Sequence, residues 1–198
     1  MRRSKFFSWI TLLALIVGIG GMLTAAQSQP RLADDSLATQ PGYVDFSSVS
    51  EWFDADASTE VDIQGPLVGL VAEASRSSDP DFARLMGDIS AIQVRSFPLS
   101  VQTSAGVSAE TDAFAERLES SGWKRVIYVR EGEERVRVYI READSMIAGL
   151  TLLSTKPGDE SVFINIVGSL SPDQIAQLGR GLNVSALEQM DVSENTPQ

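Results

Sequence analysis

The sequence predicts an α+β fold: a largely antiparallel sheet of five or six strands, with the helices packed on one face of it. Two observations lead to this prediction. Between residues 123 and 168, four segments rich in Val, Ile, Leu, Tyr and Phe are joined by three tight turns, and such turns connect antiparallel neighbours. Elsewhere, short amphipathic segments begin at capping residues and end at glycine, as helices do. Helices beside a four-stranded meander are typical of α+β domains.

The first 26 residues have the features of a secretory signal. Arg2, Arg3 and Lys5 precede an apolar run over 6–23, and small residues follow at 24–26. We therefore predict a signal peptide over 1–26; the alternative is an uncleaved N-terminal membrane anchor, because the run approaches the length of a bilayer-spanning helix. Either interpretation predicts an exported protein of the periplasm or cell envelope. It is soluble if the leader is cleaved, and otherwise anchored to the inner membrane.

The leader is followed by a predicted linker and a single domain. Residues 27–41 are polar, lack periodicity and contain two prolines, which predicts a flexible linker. A single α+β domain is predicted over 42–190 and a disordered tail over 191–198. At the start of the domain, Phe46, Val49, Trp52 and Phe53 recur at helical spacing, and a strand is predicted over 59–63.

Two helices are predicted before the second strand. The first has Pro66 at its first position, and Leu67, Leu70, Val71 and Ala74 indicate its apolar face. The second begins after Asp79, whose carboxylate we expect to cap the free backbone N–H groups of the first turn. Both helices are short, so their stability depends on packing against the rest of the domain.

The next strand and helix lead into the meander. The strand is predicted over 89–97, and Arg95 and Pro98 favour a position for it at an edge of the sheet. The helix is predicted over 108–121, with Ser108 as its N-cap. Its inward stripe is predicted to be Val107, Thr111, Phe114 and Leu118.

The meander has explicit turn chemistry. Its strands are predicted over 123–130, 135–141, 146–154 and 162–167. The last turn places Pro157 and Gly158 where a type II turn requires them. Because the third and fourth strands are apolar on both faces, we expect them in the middle of the sheet. After the meander, Ser171 and Gln174 form a capping box for a last helix.

Alternation in the second strand of the meander suggests an interaction face. Val136, Val138 and Ile140 alternate with basic and aromatic residues, so the pattern predicts one buried face and one wet face. Arginine binds carboxylates bidentately and tyrosine adds rigid contact area, which suits docking of an acidic protein surface. The candidate interaction face comprises Tyr128, Arg135, Arg137, Tyr139 and Arg141. The alternative is a hydrated face on which arginine pairs with glutamate across strands.

The charge of the chain restricts its partners. The formal net charge is −11, and it becomes −14 without residues 1–26, which carry three basic and no acidic side chains. Such an acidic body repels nucleic acids and anionic lipids. We predict that membrane contact occurs only through an uncleaved N-terminal segment. The predicted partner is an envelope protein with an acidic surface, because residues 124–141 are locally basic. The oligomeric state is left open.

No catalytic, metal or cofactor site is predicted. The chain contains neither His nor Cys, which removes the usual general base, the thiolate nucleophile and the commonest zinc ligands. The acidic stretch at 51–62 does not match a calcium-binding loop, which requires Gly at its sixth position and Glu at its twelfth. Counted from Asp54, these positions are occupied by Thr59 and Gly65. We therefore predict a non-catalytic interaction or scaffolding module. The alternatives are a carboxylate-dependent hydrolase, with candidates at Glu142, Asp144, Asp159 and Glu160, and a binder of a small anionic ligand.

Several short motifs resemble a known family. They lie at 41–46, 65–76, 79–80, 92–97, 121–123 and 138–141. Together they resemble domain-of-unknown-function family 4252, which comprises small exported bacterial proteins, many of them lipoproteins. This chain has no cysteine, so it cannot carry the lipid anchor of those members. The resemblance implies a fold and a compartment for the protein, but no functional residues.

Overall fold

The structure is a computed structural model, and it describes residues 35–171 and 173–175. Nearly all of these belong to one compact unit, Ala33–Gln174. In chain order the elements are α1 (Asp35–Ala38), a 3₁₀ turn (Val49–Trp52), β1 (Thr59–Gln64), α2 (Pro66–Ser75), α3 (Pro80–Gly87), β2 (Ile89–Leu99), α4 (Ser104–Ser120), β3 (Lys124–Glu131), β4 (Glu134–Ala143), β5 (Met146–Thr155) and β6 (Asp159–Leu170).

The six strands form one antiparallel sheet in the order β1-β2-β6-β5-β4-β3. This arrangement confirms the predicted α+β class and the C-terminal meander. β5 and β6 are central, as their apolar faces predicted, and β3 and β1 are the two edges. β2 pairs with β6, the last strand of the meander, whereas β3, the first strand, lies at the far edge. The chain therefore crosses the sheet between β2 and β3, through α4.

The turns of the meander follow from their residues. Gly158 has φ 76°, and the Asp159 N–H donates to the Lys156 carbonyl at 3.1 Å, so the predicted type II turn is confirmed. Gly132 has φ 61° at the first position of the two-residue β3–β4 loop, which identifies a type II′ turn. Asp144 and Ser145 both have positive φ, as a type I′ loop requires between β4 and β5.

The prediction that β2 is an edge strand is wrong, because β2 pairs with both β1 and β6. Pro98 is tolerated because it lies beyond Ser96, the last β2 residue that pairs with β1, so no donor is needed there. Arg95 links β2 to the edge strand instead of blocking it. Its guanidinium binds Asp62 at 2.9 and 3.0 Å and donates to the Val61 carbonyl at 3.1 Å.

One face of the sheet is covered by α4 and the 3₁₀ turn. Phe97, Leu153 and Phe163 from β2, β5 and β6 form a buried cluster with Val49 and Phe114. The helix begins at Ser104, one turn before the predicted cap, and its N-cap is Thr103, whose own N–H donates to the Ser100 hydroxyl in the preceding turn. The predicted inward stripe is confirmed, since Val107, Thr111, Phe114 and Leu118 are all buried.

The helical pair α2–α3 connects β1 to β2. Asp79 caps α3 as predicted, accepting from the Phe82 N–H at 2.9 Å. The stripe indicated by the sequence of α2 does not coincide with its buried face: Val68 and Ala72 are buried, whereas Leu67 and Leu70 are 56% and 64% exposed. Because α2 carries a single charged residue among ten, its pattern does not specify which side faces inward.

The N-terminal boundary of the domain precedes the predicted one. Asp35–Ala38 forms α1 within the expected linker, and Leu37 is buried against Ala91 and Val167, because burying this apolar side chain completes a small cluster. The predicted leader and the tail lie outside the described residues, as does most of the last helix. Its capping box is confirmed by reciprocal bonds between Ser171 and Gln174. Within 35–171 and 173–175, no helix is long and apolar enough to cross a membrane.

Candidate interaction surface

The predicted wet face of β4 is in fact the face that α4 covers. Tyr139 is fully buried in the cluster beneath α4, and Arg137 is 8% exposed. The opposite face of the same strand is also buried, at Val136 and Val138. The prediction that Arg137 and Tyr139 face solvent is therefore wrong. The alternation of residue types in β4 correctly predicted which residues share a face. It does not contain the information that α4 covers the face with the polar residues.

Carboxylates from α4 explain why basic side chains can be covered. Asp112 forms an ion pair with Arg137 and lies 3.7 Å from the Arg135 guanidinium. About two turns further along the helix, Glu119 lies 3.6 Å from Arg125 and accepts the Tyr139 hydroxyl at 3.4 Å. These acidic residues come from the preceding helix, whereas the alternative considered from sequence was a glutamate on a neighbouring strand.

Tyr139 lies in an apolar environment next to the Glu119 carboxylate. Burial raises the pKa of its hydroxyl, and the neighbouring Glu119 carboxylate raises it further, while Arg137 and Arg125 oppose both effects. The phenol is therefore held in its neutral form as a structural donor. Beside it, Nη1 of Arg137 is buried without a hydrogen-bond partner among the described residues.

Arg141 also has a structural position. Its guanidinium donates to the Ser121 carbonyl at the C-terminal end of α4 and lies directly over Gly122. A cation there offsets the unpaired carbonyls of the last helical turn. Gly122, with φ 88°, ends the helix, and the Trp123 N–H then donates to the Leu118 carbonyl at 3.0 Å. Arg141 thus fixes the corner between α4 and β3.

Exposed groups remain at the β3 edge of the sheet. The Tyr128 side chain is 50% exposed, and Val126 and Val129 are also open to solvent. The guanidinium of Arg125 lies 5.6 Å from the centre of the Tyr128 ring, and Arg130 is exposed with no ion pair to any described residue. We call these five residues the β3 edge surface: Arg125, Val126, Tyr128, Val129 and Arg130.

Four of the five residues in this surface were not in the predicted interaction face. Arg125 and Arg130 belong to the basic segment seen in the sequence, but Val126 and Val129 resembled ordinary core positions of a strand. The predicted meander did contain an indication of this exposure. Its first strand has a meander neighbour on one side only, so β3 could be expected at an edge of the sheet. A bulge between Arg125 and Ile127 adds to the exposure of Val126. Of the predicted residues, Tyr128 and the half-buried Arg135 lie at or beside this edge.

The candidate carboxylates do not assemble around a common site. Glu142 pairs with Lys124, and Asp159 pairs with Lys156 at 2.7 Å. Glu160 accepts hydroxyl bonds from Ser58 and Ser96 at the junction of β1, β2 and β6. Across residues 35–171 and 173–175, no group of three or more Asp or Glu side chains is placed to hold a metal ion.

Comparison with known proteins agrees with the motif pattern. No curated protein and no solved structure matches the chain. The sequence profile of one family does match it, over residues 51–178, which include every strand of the sheet. That family is described as Domain of unknown function (DUF4252). The chain therefore belongs to the DUF4252 family.

Proposed function

We propose that this protein is an exported, non-catalytic interaction module of the bacterial cell envelope, and that a partner protein binds its β3 edge surface. The observation that carries the proposal is the exposure of Val126, Tyr128 and Val129 on one short edge strand, beside an arginine with no ion pair among the described residues. Exposed apolar side chains that cluster on a folded domain commonly mark an interface.

The composition of the surface supports the proposal. Tyrosine and arginine are enriched at the centres of interfaces, where a rigid ring and a forked donor make large contacts. Tyr128 is held in place by the guanidinium of Arg125 at 5.6 Å and by that of Arg137 at 6.0 Å from its ring centre. These cation–π contacts restrict the Tyr128 ring before a partner binds, which lowers the side-chain entropy cost of binding.

The charge distribution indicates the kind of partner. Arg125 and Arg130 lie at the open edge, with Arg135 beside them, on a chain whose formal charge is −11. A basic patch on an acidic protein directs encounters with an acidic partner surface to that patch and repels it elsewhere. The other predicted arginines, Arg137 and Arg141, contribute indirectly by holding α4 in place.

The proposed compartment rests on the leader sequence. Arg2, Arg3 and Lys5 followed by the apolar run at 6–23 are typical of a signal peptide. Cell fractionation and intact-mass measurement of the full chain expressed in bacteria test this part. We expect an envelope fraction and, if the signal is cleaved, a mass lacking about 26 residues. Recovery of the uncleaved chain in the cytoplasm would contradict it.

Site-specific photo-crosslinking of the full chain in living cells tests the interaction. A photoreactive phenylalanine analogue is placed at position 129 in the β3 edge surface, and in a control at position 116, where Glu116 is exposed on α4. We expect a discrete crosslinked species from position 129 and none from position 116. The species should disappear in a Tyr128→Ala, Arg130→Glu variant that retains its circular dichroism spectrum. Equal crosslinking from both positions, or none from either, would refute the proposal.

A further inference from the structure

The backbone of β3 has a free hydrogen-bonding side. Within residues 35–171 and 173–175, β3 is paired only with β4, and their two-residue loop closes on the pair Glu131 and Glu134. Because a turn of this kind is closed by a hydrogen bond and bonded pairs alternate with unbonded ones, Val129 is bonded to β4. The N–H and C=O groups of Tyr128 and Arg130 then point to the open edge.

The two faces beside this edge differ in chemistry. Tyr128 and Arg130 are opposite Arg137 and Arg135, so they share the face that carries α4. Val129 is opposite Val136 on the other face. A strand added beside β3 would alternate in the same way. It would meet guanidinium groups and a tyrosine ring on one face, and aliphatic side chains on the other.

We infer that an extended segment of the partner protein adds to β3 as a seventh strand, with acidic side chains on the α4 face and apolar side chains on the opposite face. This inference rests on the proposed interaction function and specifies its geometry. Main-chain hydrogen bonds provide affinity in strand addition, and alternate side chains provide specificity. Arg125 and Arg130 provide the complementary charge for the acidic residues, and Val129 contacts the apolar ones.

A second copy of this chain fits the edge poorly. If two β3 strands pair antiparallel about the centre of the strand, Arg125 of each copy is opposite Arg130 of the other. Like charges in directly opposite positions are destabilising. Each chain has a formal charge of −11, which adds long-range repulsion between copies. We therefore assign the edge to a different, acidic strand.

Synthetic strands test the inference without knowledge of the partner. The probes are an eight-residue peptide of alternating Glu and Val, its Lys and Val counterpart, and two N-methylated forms of the acidic peptide. One form is methylated at every Glu and the other at every Val. Whichever direction the peptide runs, one of these forms blocks the N–H groups that face β3 and the other does not. Binding to the full chain is measured by fluorescence anisotropy at low salt.

We expect the acidic peptide to bind at least about tenfold more tightly than the lysine peptide. One N-methylated form should lose about tenfold in affinity and the other should bind as the parent does. An equal loss of affinity with both N-methylated forms, or no loss with either form, would contradict strand addition. Equal binding of the acidic and lysine peptides would contradict the charge assignment. Concentration-dependent dimerisation through position 129 would indicate a second copy and would also overturn the inference.

Variants of the protein provide an independent test. Arg130→Ala removes the charge, whereas Arg130→Pro removes the charge and the outward N–H. Proline is tolerated on an edge strand where its nitrogen faces solvent, and circular dichroism checks the fold of both variants. We expect Arg130→Pro to bind the acidic peptide about tenfold more weakly than Arg130→Ala. Equal affinities of the two folded variants would overturn the inference. The interaction function itself is refuted separately, if position 129 gives no discrete crosslinked species in the otherwise unaltered protein.

Discussion

Asn165, which is fully buried on β6, donates from its side-chain amide to the carbonyl of Gly42 at 3.0 Å, although 123 positions separate them in the chain. The same amide accepts the Val44 N–H at 3.1 Å and donates to the Leu150 carbonyl at 3.3 Å. The Asn165 side chain thus binds the segment 42–44 with the kind of hydrogen bonds that a neighbouring strand would supply. The segment can then place Phe46 in the core under α4.

We expect Asn165→Leu to lower the free energy of unfolding by about 3 kcal/mol. The change removes three hydrogen bonds and leaves the Gly42 carbonyl and Val44 N–H buried without partners, and each unpaired group costs about 1–3 kcal/mol. Urea unfolding of the full chain measures this. Thr151→Val is the matched control, because it removes a single buried bond, to the Ile164 carbonyl at 2.7 Å, and should cost about 1 kcal/mol. Equal losses would contradict the larger contribution expected from the three Asn165 bonds.

We expect Gly149→Ala to destabilise the domain by about 3 kcal/mol, the upper end of the usual range for overpacking, because the site cannot relax freely. A Cβ atom at this position would overlap the backbone of Gly42 and the ring of Trp123. Thermal unfolding measures the effect. Gly69→Ala in α2 is the control, since a Cβ there meets nothing within 4 Å. It should stabilise by about 0.5–1 kcal/mol, because alanine favours a helix interior.

Features set by short-range chemistry were the ones that the sequence predicted well. The Lys156 to Asp159 turn needs only proline and glycine in adjacent positions, and the cap of α3 needs only Asp79 ahead of Pro80. The family itself was identified from motifs of two to twelve residues. Such features depend on φ restrictions and on bonds between near neighbours, so a single sequence contains the information for them.

Features set by distant partners were the ones that it missed. Arg95 looked like a residue that protects an edge, but Asp62, 33 positions earlier, makes it a link between strands. Arg137 looked exposed, but Asp112 approaches it from α4. The candidate interaction face therefore moved towards β3, where Tyr128 remains open. A charged residue indicates that a partner or water is needed, but it does not indicate which one.

We expect Asp112→Asn to lower the free energy of unfolding by about 1–2 kcal/mol. Arg137 is nearly buried and would lose its carboxylate partner, although the half-exposed position of Asp112 reduces the cost relative to a fully buried pair. Denaturant unfolding measures it. Asp81→Asn is the comparison, because its pair with Arg84 is well exposed. That change should cost under about 0.5 kcal/mol. A similar cost for both would contradict a special role for the pair beneath α4.

The unfolding free energy should fall as the pH rises above about 10, and Tyr139 should cause part of this fall. Burial raises the pKa of Tyr139 above its ordinary value of 10.0 in the folded protein, with Glu119 acting in the same direction. A group whose pKa is higher in the folded state contributes stability below its unfolded pKa, and that contribution is lost as the pH rises through its folded pKa. Urea titrations between pH 9 and 11.5 should therefore show a steeper decline for the wild type than for Tyr139→Phe. Absorbance titration of phenolate formation in the same two proteins isolates Tyr139 by difference. Identical pH slopes in the wild type and Tyr139→Phe would show that the tyrosine beneath α4 ionises as easily in the folded protein as in the unfolded chain.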